Sequence, residues 1–251
     1  MAVDYHKQGR IAIFTINRPE ALNALNADVG LEMNRAMIDF RDDPDLWVGI
    51  ITGAGDKAFS AGADIKGFRP GPMMEAAAGE RVRADRIWKP FIAAINGYCL
   101  GGGLELALTC DLRIAAEHAR FGTPEIYVGV IPAGGGIDRL PRFIPRAKAA
   151  EILLMGKQMD AQEAYRIGLI NKVVPLKQLM PAALEWAETI CQAGPLQVRA
   201  VKEAMIRGYD MTLDEGLRLE AEMLNRVRGT EDYLEGARAF VEKRKPNWRA
   251  R

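Results

Sequence analysis

Glu105 lies in "GGGLELALTCD" (residues 101–111), where three glycines run straight into a nearly all-apolar stretch. Leu104, Leu106, Ala107 and Leu108 cover most directions around a helix axis, and no Lys or Arg lies within a turn. This acid is therefore expected on a helix buried on all sides, stripped of its water. A desolvated carboxyl is what general acid–base catalysis uses to carry a proton. The glycines ahead of it let a ligand come close to backbone N–H groups at a helix start, where partial positive charge collects. The same run also reads as a plain strand-to-helix turn. A second acid, Glu125, sits in "FGTPEIYVGVIP" (residues 121–132). Thr123 as N-cap, Pro124 at the first helical position and Glu125 in the first turn predict a helix start, which leaves Glu125 open between cap and catalyst. A third loop of small residues, "FSAGADIKGF" (residues 59–68), again permits close backbone approach.

Other chemistry finds little material. His6 and His118 stand outside any motif, so a Ser-His-Asp or Cys-His arrangement is not expected. Zinc spacing is missing. "GAGDKA" at Gly53 opens no long helix of the dinucleotide-binding kind, and "MGKQ" lacks the Ser/Thr and the upstream glycine of a phosphate loop. Cys99, Cys110 and Cys191 are odd in number and scattered, and read as buried thiols in a reducing compartment.

The elements that must position these residues follow a strand–helix alternation. "RIAIFTIN" (residues 10–17), "WVGIITG" (47–53), "PFIAAING" (90–97) and "CDLRIAA" (110–116) are β-branched or apolar runs, hence buried strands. Between the first two, Asn26 caps an amphipathic helix with Val29, Met33, Met37 and Phe40 at helical spacing. From Ala147 onward the pattern turns helical: a helix ending at Gly156, "DAQEAYRIGL", a short strand "INKVV", then a helix over "PAALEWAETICQAG". The last fifty or so residues read as helices throughout. With 251 residues, 49% hydrophobic content and no polar linker, the chain is one α/β domain with an appended helical layer, divided here as 1–195 and 196–251. A net charge of +1 argues against a general affinity for nucleic acid or anionic membrane. "MAVDYHKQGR" is too polar for a leader, and "FIAAINGYCLGGGLELALTC" is too interrupted to span a membrane, so a soluble cytoplasmic protein is expected.

Together, "NRPEALNAL", "FSAGADIK", "KPFIAAINGYCLGGGLELALTCD", "FGTPEIYVGVIP", "GLINKVV" and "AFVEKRKPNW" resemble the crotonase (enoyl-CoA hydratase/isomerase) superfamily, in family order and over nearly the whole chain. The resemblance implies a crotonase-like spiral of repeated strand-strand-helix units with a C-terminal helical layer that joins subunits into homotrimers or dimers of trimers. It implies an acyl-CoA thioester whose carbonyl sits between the backbone N–H groups of Ala63 and Gly102. Glu105 and Glu125 match the two glutamates of the hydratase branch and would hold one water, Glu105 as base and Glu125 as acid. Lys66 matches a lysine near the CoA phosphates, Ala61, Asp64 and Ile65 the adenine-contacting loop, and Phe240 and Lys243 residues that reach a CoA. No metal or redox cofactor is implied, coenzyme A being part of the substrate. The chain departs from the hydratase pattern at Asp138, where a Gln is common. In the variable stretch after Lys66, Arg69, Arg81, Arg83 and Arg86 read as solvated helix charges or as partners for a charged acyl group. A double-bond isomerase commonly lacks the acid at position 105, and a carnitinyl-CoA (crotonobetainyl-CoA) hydratase would differ only in acyl group. An RNA-binding or scaffolding member of the fold would be marked by a lysine-rich helix, which this near-neutral chain does not show.

Overall fold

A computed structural model describes residues 1–65 and 82–251. Its larger sheet orders six strands β1-β2-β3-β5-β7-β10: β1 (Val3–Gln8), β2 (Ile11–Ile16), β3 (Val48–Gly53), β5 (Phe91–Ile95), β7 (Leu112–Ala116) and β10 (Lys172–Val174). Among the described strands of this sheet, the β1–β2 pair is antiparallel and the other pairs are parallel. Parallel strands must be covered on both faces, which is why β3 and β5 are buried at every residue. Side-chain alternation divides them. Ile51, Ala93, Ile95 and Ala115 face one apolar cluster, while Ile50, Ile92, Ala94 and Ile114 face another.

The first face is covered by α1 (Ala27–Asp42), whose Val29, Met33, Met37 and Phe40 are all buried, as their spacing predicts. The Asn26 side chain accepts from the Val29 N–H at 3.0 Å and so caps the helix as expected. Phe40, Phe14 and Phe91 form a ring cluster with centroids 5.0–5.8 Å apart, and the Phe91 ring occupies the space a side chain at Gly49 would need. The second face is covered by α6 (Leu176–Cys191) through Leu179, Ala182, Ala183 and Ala187. That helix begins five residues before the Pro181 start predicted from sequence. Pro175 stands at the N-cap, and Pro181 is carried inside the helix that packs Leu179 on the sheet.

Each strand of the middle of this sheet hands the chain to a second, smaller sheet ordered β4-β6-β8-β9: β4 (Ala58–Ser60), β6 (Tyr98–Leu100), β8 (Arg120–Gly122) and β9 (Met159–Asp160). Thus β3 leads to β4, β5 to β6 and β7 to β8, with both sheets adding strands in the same order, a spiral of strand pairs. Buried amides tie the corners. Asn96 donates to the Gly53 and Gly55 carbonyls at 2.8 Å each, and Asn23 to those of Ala54 and Ala58. Each replaces several lost water contacts with backbone partners.

After β8 come α3 (Gly136–Phe143), α4 (Arg146–Met155), which ends at a left-handed Gly156, and α5 (Ala161–Arg166). The C-terminal layer is α7 (Pro195–Gly208), α8 (Leu213–Arg228) and α9 (Glu231–Val241). Lys202 on α7 fastens it to the core: its ammonium donates to the Ala84 and Lys89 carbonyls and to Asp111, at 2.9, 3.0 and 2.7 Å. Helix does not continue to the end, contrary to the sequence reading. Residues 245–251 leave the helix and fold back, with the Arg249 and Ala250 N–H groups on buried Asp232 and the Trp248 indole on the Gln192 carbonyl. Lys245–Pro246 keeps the helix from resuming, and Asp232 holds the final residues against α9. Cys99 and Cys110 are buried free thiols, while Cys191 is only half-buried at the end of α6.

Candidate active site

The three motifs singled out from sequence leave three neighbouring parallel strands at the same end. "AGADI" follows β4, "GGGLE" follows β6 and "TPE" follows β8. The carboxyl ends of parallel strands are where open α/β sheets bind ligands.

After β4, Leu25 forms a parallel bridge with Ala63, its N–H donating to Gly62 O at 2.8 Å and its carbonyl accepting from Asp64 N at 3.0 Å. That pattern uses the residues on either side of Ala63 and turns Ala63's own N–H away from Leu25. After β6, Gly101 turns with φ 53° and ψ −127°, and α2 (Gly102–Ala107) begins. Its first N–H, that of Gly102, has no carbonyl a turn earlier to bond. The two amides are neighbours: a Cβ on Gly102 would lie 3.7 Å from Ala63 N, and one on Gly62 3.3 Å from Gly102 N. A Cβ on Gly103 would overlap the Ser60 carbonyl, so glycine at 103 is what lets α2 start this close to the β4 exit.

Glu105 is 8% exposed, as its apolar neighbours predict, although Leu106 remains partly open on the short α2. Its Oε1 accepts the Gly136 N–H at 2.9 Å from the start of α3. Glu125 lies across Gly101, its Oε1 2.7 Å from where a Cβ on that glycine would be. The expected helix start falls at 123–125, but the helix is short and of the 3-10 kind and its side-chain cap is missing. Pro124–Val128 is a single 3-10 turn, and the Thr123 hydroxyl donates to the Ile152 carbonyl at 3.1 Å instead of capping. A buried carbonyl of α4 outcompetes the helix end for that hydroxyl. Glu125 keeps its place in the first turn of that element. Its Oε2 is buried without a hydrogen-bond partner among the described residues, and burial, with the nearby charge of Glu105, pushes its carboxyl above the usual 4.5.

Other expected site residues fall in three groups. Ala61 donates to Leu22 O at 3.0 Å, the Asp64 carboxylate pairs with Arg18 at 2.9 Å, and Ile65 is exposed beside them. Lys66, Arg69 and Arg81 lie outside the described residues. Phe240, 86% exposed, and Lys243 stand at the end of α9, which packs on α8; the described contacts do not bring them to the two glutamates. Asp138 is exposed on α3, and Arg86 is exposed too. Sequence reasoning passed over Gly134, Gly135, Gly136 and Arg139, which back Glu105. The signal available was three consecutive glycines at a helix start, the pattern that drew attention at 101–103.

Fold and site together define an α/β spiral protein that sets two carboxyl groups and two backbone N–H groups without a partner among the described residues at the open ends of three adjacent parallel strands. The chain belongs to the enoyl-CoA hydratase/isomerase family, whose sequence profile matches residues 6–251. It is 46% identical over 246 residues to a probable mitochondrial enoyl-CoA hydratase of Dictyostelium discoideum, covering 96% of this chain and 88% of that protein. It is 44% identical to the crotonyl-CoA hydratase of Syntrophomonas wolfei subsp. wolfei, covering 96% and 95%. The crystal structure of enoyl-CoA hydratase EchA1 from Mycobacterium marinum superimposes with a TM-score of 0.93 at 39% identity, over 100% of this chain and 99% of that one. The crotonase-like spiral with its C-terminal helices is thus the fold.

Proposed function

We propose that this protein is an enoyl-CoA hydratase, adding water reversibly and with syn geometry across the 2,3 double bond of a 2-enoyl-CoA thioester. The observation that carries the reading is the pair Glu105 and Glu125, close enough for the charge of one to act on the other, with the N–H groups of Ala63 and Gly102, which have no partner among the described residues, beside Gly101. The thioester carbonyl accepts from both amides, which hold the negative charge that grows on its oxygen as C3 is attacked. Loss of one such donor typically costs about 2.7–4 kcal/mol in the barrier. Glu105 takes a proton from the water whose oxygen bonds to C3, and Glu125 gives a proton to C2, so one water is added and the pair exchanges roles in the reverse direction. Burial favours a protonated Glu125, which fits the acid, and the Gly136 N–H that donates to Glu105 Oε1 holds the base in place. Protons and water balance this reaction, so it calls for no metal or redox cofactor.

Asp64 and Ile65 with Ala61, and Lys66 beyond them, are assigned to the CoA nucleotide, as are Phe240 and Lys243 in an assembled oligomer. Exposed Val201, Met205, Leu213, Leu217, Phe240 and Val241 give the C-terminal helices an apolar surface suited to a homotrimer or a dimer of trimers, with 196–251 as the joining segment. The protein is assigned to the cytoplasm, in keeping with its free cysteines; no helix of the described residues is long and apolar enough to cross a membrane.

The test follows loss of the enoyl thioester absorbance of crotonyl-CoA with wild type, Glu105→Gln and Glu125→Gln. Wild type hydrates the substrate, and each variant loses about 10²–10⁴-fold in kcat. Full activity in Glu105→Gln, or double-bond migration without hydration, overturns the reading.

A further inference from the structure

We infer that Arg139 is a positioning residue for Glu105, acting through the glycine turn at 134–136, and that Asp85 fixes Arg139 in its working position. This inference rests on the proposed function. The turn lies between two side chains. On one side is the Glu105 carboxylate: Oε1 accepts the Gly136 N–H at 2.9 Å, and a Cβ on Gly134 would stand 2.6 Å from Oε2. On the other side is the Arg139 guanidinium, whose Nη1 donates to the Gly134 carbonyl at 3.0 Å and covers Gly135 so closely that a Cβ there would overlap it.

Three consecutive glycines have no side chains with which to hold their own place and lose more freedom on ordering than any other residues. Their position against Glu105 must be set from outside, and Arg139 is the polar side chain bonded to them on that side. Its second nitrogen, Nη2, reaches Asp85 Oδ2 at 2.5 Å, with both side chains less than a fifth exposed. Asp85 Oδ1 accepts from Arg83 at 3.0 Å, so the carboxylate is itself held from two sides. A planar guanidinium serves two acceptors at a fixed angle, which a lysine ammonium does not. The resulting chain, Asp85 to Arg139 to Gly134 and Gly136 to Glu105, ties the orientation of the base to an ion pair on the far side of the turn.

The experiment measures kcat and KM for crotonyl-CoA hydration by Arg139→Gln and Asp85→Asn, each in the wild-type and the Glu105→Gln background, with thermal melts to establish folding. Misplacing a reacting group by about 1 Å costs on the order of a hundredfold, so Arg139→Gln should lose kcat by that order with KM little changed. Asp85→Asn should lose less, because the amide still accepts from Arg139. In the Glu105→Gln background neither change should lower the residual rate further, since the group being positioned is gone. Equal losses in both backgrounds, or kcat near wild type for both folded variants, overturn the inference alone. If Arg139→Gln does not fold, the gentler Asp85→Asn decides by the same comparison. A wild type that fails to hydrate crotonyl-CoA removes the proposed function and this inference with it.

Discussion

Gly101 is the joint on which both candidate functional halves turn, and substituting it should separate strain from chemistry. In Gly101→Ala the new Cβ sits at φ 53°, ψ −127°, where a side chain is strained, at a cost of about 1–3 kcal/mol. It also lands 2.7 Å from Glu125 Oε1 and 3.2 Å from the carboxyl carbon. Ordinary contact begins near 3.4 Å, so the carboxyl must retreat by about 0.7 Å, enough for a loss in kcat approaching a hundredfold. Gly9→Ala is the control: Gly9 also has positive φ, 57°, but a Cβ there meets nothing within 4 Å and lies in the turn between β1 and β2. Both variants should melt lower, by about 2–4 °C for each kcal/mol lost in a chain of this size. Only Gly101→Ala should lose hydration of crotonyl-CoA. If the two variants lower the melting midpoint alike and hydrate at similar rates, crowding of Glu125 does not control the reaction and the reasoning fails.

Three further outcomes are expected. A carboxyl whose folded pKa is raised contributes stability below its ordinary value of 4.5 that is lost as pH rises, so Glu125→Gln should melt above wild type near pH 7.5, with the gap closing toward pH 4; an unchanged gap across that range would refute the desolvation argument. Gly134→Ala places a Cβ 2.6 Å from Glu105 Oε2 and should depress kcat more than KM in the same assay; a kcat equal to wild type would mean that the turn yields freely. Lys202→Met strands Asp111, already raised by burial, without its cation, and should cost about 3–5 kcal/mol in urea unfolding, part of which returns in the Lys202→Met, Asp111→Asn double variant; a loss below about 1 kcal/mol would refute it.

Local signals carried most of the architecture. Asn26 and the stripe Val29, Met33, Met37, Phe40 define their helix from sequence alone, because capping and one-sided burial act within a few residues. The burial of Glu105 was legible for the same reason, since its neighbours along the chain are its neighbours in space. Thr123 misled because its hydroxyl partner, Ile152, lies 29 residues away on another helix. Pro181 misled because packing of α6 on the sheet overrides a local preference against proline in a helix. Arg139 and Asp85, 54 residues apart in sequence, meet only once the fold brings them together, and nothing in the residues around either one announces the other.

The freed amide of Ala63 comes from how Leu25 binds its neighbours, and that of Gly102 from being first in a helix. Both belong to the main chain, so in the proposed reaction its electrostatic centre is heritable independently of side-chain identity. Replacing Ala63 by a larger residue keeps the donor and alters only the room beside it, whereas deleting the donor takes a proline. Such a chain tolerates drift around the carbonyl site while preserving the activation step, leaving acyl preference free to diverge under selection at constant chemistry.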